Sequence, residues 1–158
     1  MITPMPKEQF LIAMRYLAAS VSIVSAKDSH GKPHAMTASS VTSLTVEPPA
    51  ILVCVNKHAS IHDVLKPGSE MCINILSNAQ QDISNLCSSK DSDAKRFDNE
   101  YWNKDGTPFL KEAQSNIFVQ VDQVIGYHSH SIVISKVLNV YNAESFNTLI
   151  YADGGYLE

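Results

Sequence analysis

No stretch of about 18 consecutive apolar residues occurs in the chain, so no membrane-spanning helix is expected. Basic residues are few: 12 Lys and Arg against 16 Asp and Glu leave a formal net charge of −4. The broad positive field of a nucleic-acid binder is therefore missing, and no nucleic-acid partner is expected. Cysteine is scarce and odd in number. Cys54, Cys72 and Cys87 stand too far apart for a disulfide framework or a zinc pattern, which points to a reduced, cytoplasmic setting. The start, Met1-Ile-Thr-Pro-Met-Pro-Lys7, has no basic segment leading into an apolar one, so no signal peptide is expected. Also absent are a Gly-x-Ser-x-Gly elbow, a Walker-type phosphate loop and a Gly-x-Gly-x-x-Gly turn, the usual marks of hydrolases, NTPases and Rossmann dehydrogenases.

What is present is globular. With 158 residues, 44% apolar and 18% charged, the chain suits one domain over 1–158. Pro4 and Pro6 precede a helix predicted from about Lys7 to Ala19, with Phe10, Met14, Leu17 and Ala18 as its apolar stripe. Val21–Ala26 reads as a strand, and Asp28–Pro33 as a turn. A second strand runs from about His34 to Ser43. Ala50–Val55 is apolar throughout, like a strand buried on both faces. Ser60 is placed to cap a short helix over Ile61–Lys66, which Pro67-Gly68 stops. Met71–Leu76 is a strand and Ala79–Cys87 a helix. Ser88–Trp102 is a polar surface loop with a helical turn near Lys95. Asn116–Gly126, Ser131–Tyr141 and Thr148–Tyr151 complete the strands. About six or seven strands with two or three helices predict a mainly β fold, a β-barrel with helices, rather than a doubly wound sheet.

Six histidines invite a metal reading. His58 and His62 could share a helical face, and His128 and His130 a strand face, but no third ligand completes either pair. They read as surface or hydrogen-bonding histidines, with no metal. Cys54 reads as a small buried hydrophobe. The remaining feature is the hydroxyl cluster Met36-Thr-Ala-Ser-Ser-Val-Thr-Ser43. It is either a half-exposed strand facing water or a row of small residues admitting a flat ligand close to the backbone. A phosphate on such a ligand needs further donors, for which Lys57, Ser60 and Arg96 are candidates.

Ala35–Leu44 followed by Glu47–Asn56 resembles the signature of the short-chain flavin reductases, flavin-reductase-like proteins built on an FMN-binding split barrel. In the same order, Met71–Leu76, Lys95-Arg-Phe97 with Trp102 and Pro108-Phe-Leu110, His130–Val137, and Leu149-Ile-Tyr151 with Gly155-Tyr156 resemble further family segments. The resemblance implies a homodimeric split barrel that uses NADH or NADPH to reduce FMN or FAD, in many members for a partner flavin-dependent monooxygenase. It implies that Met36, Thr37, Ala38, Ser39 and Ser40 line the flavin, with Cys54, Val55, Asn56, Lys57 and Ser60 along its other side and phosphate. Arg96 and Phe97 would close over it from a loop, with His130 and Tyr156 near the nicotinamide and His130 as the catalytic-site histidine. The family often has Gly where Ala35 and Ser135 stand, and Asp where Ser129 precedes the histidine. Two other readings use the same residues. One is a flavin-binding electron-transfer or storage module without NAD(P)H turnover. The other is an oxidase of a phosphorylated amine such as pyridoxamine phosphate, disfavoured by the dispersed basic residues.

Overall fold

A computed structural model describes residues 6–158, so the reading of Pro4 falls outside the described residues. Among the described residues, twelve strands and two α-helices succeed one another. Helix α1 (Lys7–Arg15) leads to β1 (Ala19–Ser20), β2 (Ser22–Lys27), β3 (Pro33–Ala38), β4 (Val41–Val46) and β5 (Pro49–Asn56). After a 3-10 turn come β6 (Glu70–Ile75), α2 (Gln81–Ser88), β7 (Trp102–Asn103) and β8 (Phe109–Leu110). The long strands β9 (Ser115–Tyr127) and β10 (His130–Asn142) follow, then β11 (Ile150–Ala152) and β12 (Gly155–Leu157).

Seven of these strands form one sheet in the order β3-β2-β6-β9-β10-β5-β4. Its two edges, β3 and β4, are consecutive in the chain and separated only by Ser39 and Ser40. The sheet must therefore curl until its edges meet, and a ladder never forms between them. The result is a barrel split along one seam. Ser40 extends the β4–β5 ladder past Val41: its carbonyl accepts from the Cys54 N–H at 3.3 Å, and its hydroxyl donates to the Cys54 carbonyl at 3.0 Å. The strand predicted over His34–Ser43 is thus two strands broken at Ser39-Ser40, because closure requires a sharp change of direction there.

Two apolar layers follow from this curl. Val24, Val53, Val55, Met71, Ile73, Val119 and Val133 fill the barrel interior. Val21, Ile23, Leu76, Ile83, Trp102, Leu110 and Leu149 pack between the barrel and α2. Strand β2 serves both layers and is buried on both faces. Strand β5, predicted to be so buried, instead alternates, with Ile51, Val53 and Val55 inside and Leu52 and Cys54 half covered. A 3-10 turn over Asn78–Gln80 runs into α2, and it opens with a capping box between Ser77 and Gln80, whose Oε1 accepts from the Ser77 N–H at 3.0 Å.

Three further readings are corrected. Helix α1 ends at Arg15, not Ala19, and none of its residues is buried. The segment after Ser60 is only a 3-10 turn over His62–Val64, with no side-chain cap, because Pro67-Gly68 leaves too little chain for an α-helix. Asp153-Gly154, both at positive φ, form the tight turn of a β11–β12 hairpin that local pattern did not reveal.

Candidate functional site

Strand β3 is an edge, so every second backbone N–H and C=O on its outer side points away from β2. Helix α2 lies across it: the Thr37 hydroxyl donates to the Ser84 carbonyl at 2.7 Å. Between them runs a groove in two linked parts that share Thr37 and Ser88. One part, about 330 Å³, is walled by Met36, Thr37, Asn56, His58, Ala59, Ser60, Cys87, Ser88, Lys90, Asp93 and Arg96. The other, about 440 Å³, is walled by Val21, Thr37, Ala38, Ser39, Ser84, Asn85, Ser88, Tyr151, Gly154, Gly155 and Tyr156. Each is within the size of small-ligand sites.

Arg96 anchors the first part. It is buried, and its guanidinium donates to the Ala35 carbonyl and to the Ser89 carbonyl, the latter at 2.9 Å. It pairs with Asp93 at 3.0 Å, while its Nε–H is buried with no partner among the described residues. A buried N–H without an acceptor is costly, so this donor suits an incoming anion. In the second part, the Tyr156 hydroxyl meets Ser84 Oγ and Asn85 Oδ1, each at 2.8 Å, which fixes its ring at the groove wall. Cys87 faces the first part, but burial pushes its thiol up to about 12, partly offset by Arg96, so it stays protonated and unreactive.

Among the residues the sequence singled out, the groove gathers Met36, Thr37, Ala38, Ser39, Asn56, Ser60, Arg96 and Tyr156. Others stand elsewhere. Ser40 and Cys54 bond each other at the end of the β4–β5 ladder. Val55 turns its side chain into the barrel core. Lys57 folds over Gly126, where an added Cβ would meet its Nζ at 3.3 Å, so it does not wall the groove. Phe97 stacks on Trp102 with ring centroids 4.5 Å apart, inside the loop's own cluster. His130 opens β10, exposed, in register with Asn56 on the neighbouring strand. Its Nδ1 lies 2.8 Å from the Ser129 hydroxyl, so Ser129 orients the ring where the family often has a carboxylate. Ser135, where the family often has Gly, sits at a register shift in β10 with its buried hydroxyl unpartnered.

Lys90 and Asp93 were missed, because Ser88–Trp102 reads as a solvated loop. The one usable signal is the three-residue spacing of Asp93 and Arg96, which a helical turn brings together. Among the described residues, no three His, Cys, Asp or Glu side chains gather in a way that could hold a metal. No helix of the described residues is long and apolar enough to cross a membrane.

The chain is similar to proteins already known. The flavin reductase like domain matches residues 14–158. A protein named FMN reductase (NADH) RutF, from Stutzerimonas stutzeri strain A1501, is 34% identical over 155 residues, covering 97% of this chain and 88% of that protein. The reductase component of an FADH(2)-dependent resorcinol hydroxylase, from a Rhizobium species, is 29% identical over 152 residues, covering 94% and 85%. A crystal structure of a candidate flavin reductase from Haemophilus somnus 129pt superimposes with a TM-score of 0.89 at 30% identity, covering 97% of this chain and 99% of that one.

Proposed function

Since the chain belongs to the flavin reductase like family, we propose that it is an NADH-dependent flavin reductase, with FMN or FAD as the acceptor. One observation carries this reading beyond family membership. A groove along a sheet edge ends at a buried arginine with an unpartnered N–H, as a flat ring bearing a phosphate tail requires. The relative named FMN reductase (NADH) supports FMN and NADH as the natural pair.

Bound flavin supplies the ring that accepts a hydride from the nicotinamide, and the protein supplies placement and field. Ala38 and Ser39 are small, so a planar ring can approach the outward N–H groups of β3, which stabilise negative charge on its polar edge. The Thr37 hydroxyl gives its proton to Ser84 and so keeps its lone pairs for a donor on the ligand. Arg96, Ser60 and Lys90 hold the phosphate end. Tyr156 on the groove wall, and His130, oriented by Ser129 at the start of β10, would hold the nicotinamide, so that the two reactants meet as one bound pair.

The finer features belong to the same proposal. The relative that serves as a hydroxylase reductase component supports release of reduced flavin to a partner monooxygenase. The exposed apolar helix α1 and the far half of β10 support a homodimer. Three free thiols support a reducing, cytoplasmic location.

The test is NADH oxidation by the purified chain. It should proceed only when FMN or FAD is added, and His130→Ala should raise KM for NADH more than KM for flavin. Flavin binding without NADH oxidation would point instead to an electron-transfer or storage module.

A further inference from the structure

We propose that the Asp93 carboxylate is a built-in competitor for the phosphate of the flavin nucleotide, occupying its place until ligand displaces it. This rests on the flavin reading above. One oxygen of Asp93, Oδ1, holds both phosphate donors at once: it pairs with the Arg96 guanidinium at 3.0 Å and accepts from the Ser60 hydroxyl at 3.4 Å. All three residues wall the same part of the groove. The bridge joins segments far apart in sequence, and it is built from the donor types that a phosphate uses.

The two partners are not equally fixed. Arg96 is buried and tied to the Ala35 and Ser89 carbonyls, so it stays in place. Asp93 has a side chain 47% exposed, and among the described residues its side-chain partners are Ser60 and Arg96. It can swing into water when a phosphate arrives, because an exposed carboxylate regains its hydration at little cost. The buried, unpartnered Arg96 Nε–H shows that Asp93 does not saturate the guanidinium. A phosphate, with more acceptor oxygens than a monodentate carboxylate, can take that donor as well. Asp93 therefore weakens the hold on the phosphate without removing it. That suits flavin as an exchanging substrate rather than a permanently held group.

The experiment measures binding of FMN and of riboflavin, which lacks the phosphate, to the wild-type chain and to Asp93→Asn by flavin fluorescence quenching. Asparagine keeps the volume and a hydrogen bond to Arg96 while removing the competing charge. Affinity for FMN should rise on the order of tenfold, with riboflavin unchanged. An FMN affinity that is unchanged or lower, or an equal change for both flavins, would overturn the proposal. The wild-type chain gives a second readout, independent of whether the variant folds. The NMR resonance of the Arg96 Nε–H should shift when FMN is added and stay in place with riboflavin. No shift with bound FMN would overturn the proposal. Binding of neither flavin to the wild-type chain is a separate failure, and would bring down the flavin reading of the groove itself.

Discussion

Asn74 is fully buried, and its side-chain amide is a hub. Its NH₂ donates to the Ile23 carbonyl at 2.8 Å and to Ser25 Oγ at 3.0 Å. Its oxygen accepts from the Leu110 N–H at 2.9 Å and from the Asn116 amide at 2.8 Å. One side chain thereby ties β2, β6, β8 and β9 together beneath α2. Asn74→Ala would leave several buried donors and acceptors without partners, and a small void beside them. Such a loss costs about 3 kcal/mol, so the urea midpoint should fall sharply with little change in slope. The sequence places an Asn in this strand but not its role, since the partners lie 36 to 51 residues away. The partnership of Ser40 with Cys54, 14 residues on, is hidden as well, because it follows from the β4–β5 register. By contrast Met36, Thr37, Ala38 and Ser39 are legible as groove residues, because small and hydroxyl-bearing types concentrate in one short run.

The β2–β3 hairpin is set by its own turn. Asp28 Oδ1 accepts from the His30 and Lys32 N–H groups at 2.9 and 3.0 Å, and Oδ2 meets His34 Nε2 at 3.0 Å. The hydrogen bond to His34, with help from the backbone donors, lowers the Asp28 carboxyl from its ordinary 3.8 to about 2. The folded chain thus holds this proton less tightly than the unfolded one. The contribution is complete above pH 3.8 and fades as pH falls towards about 2. Urea midpoints followed through that window should drop more steeply for wild type than for Asp28→Asn, and the two should converge at its acid end. Elements with local causes such as this turn are readable from sequence. The break at Ser39-Ser40 is not, because it answers to barrel closure, and the helix expected after Ser60 fails because its run of chain is too short.

Two faces of the chain gather exposed apolar side chains. Helix α1 exposes Phe10, Leu11, Ile12 and Met14, with Leu17 exposed just beyond it, and is tied down mainly where Arg15 meets Asp153, donating to its carbonyl at 3.2 Å. The far half of β10, which pairs only with β9, exposes Leu138, Val140 and Tyr141. A nine-residue helix with no buried residue is marginal on its own. A second copy covering these faces would supply the missing burial, and roughly 800 Å² per partner suffices for a stable pair. Wild-type protein should sediment as a dimer, and the Leu138→Lys/Val140→Lys double variant as a monomer. A wild-type monomer would refute the pairing. Because the strands on either side of the split are neighbours in the chain yet opposite ends of the sheet order, the barrel cannot close until β9 and β10 bridge the space between. A nascent chain emerging from the ribosome would acquire its ligand site late, after β10 and then Tyr151–Tyr156, which wall the groove, have left the exit tunnel.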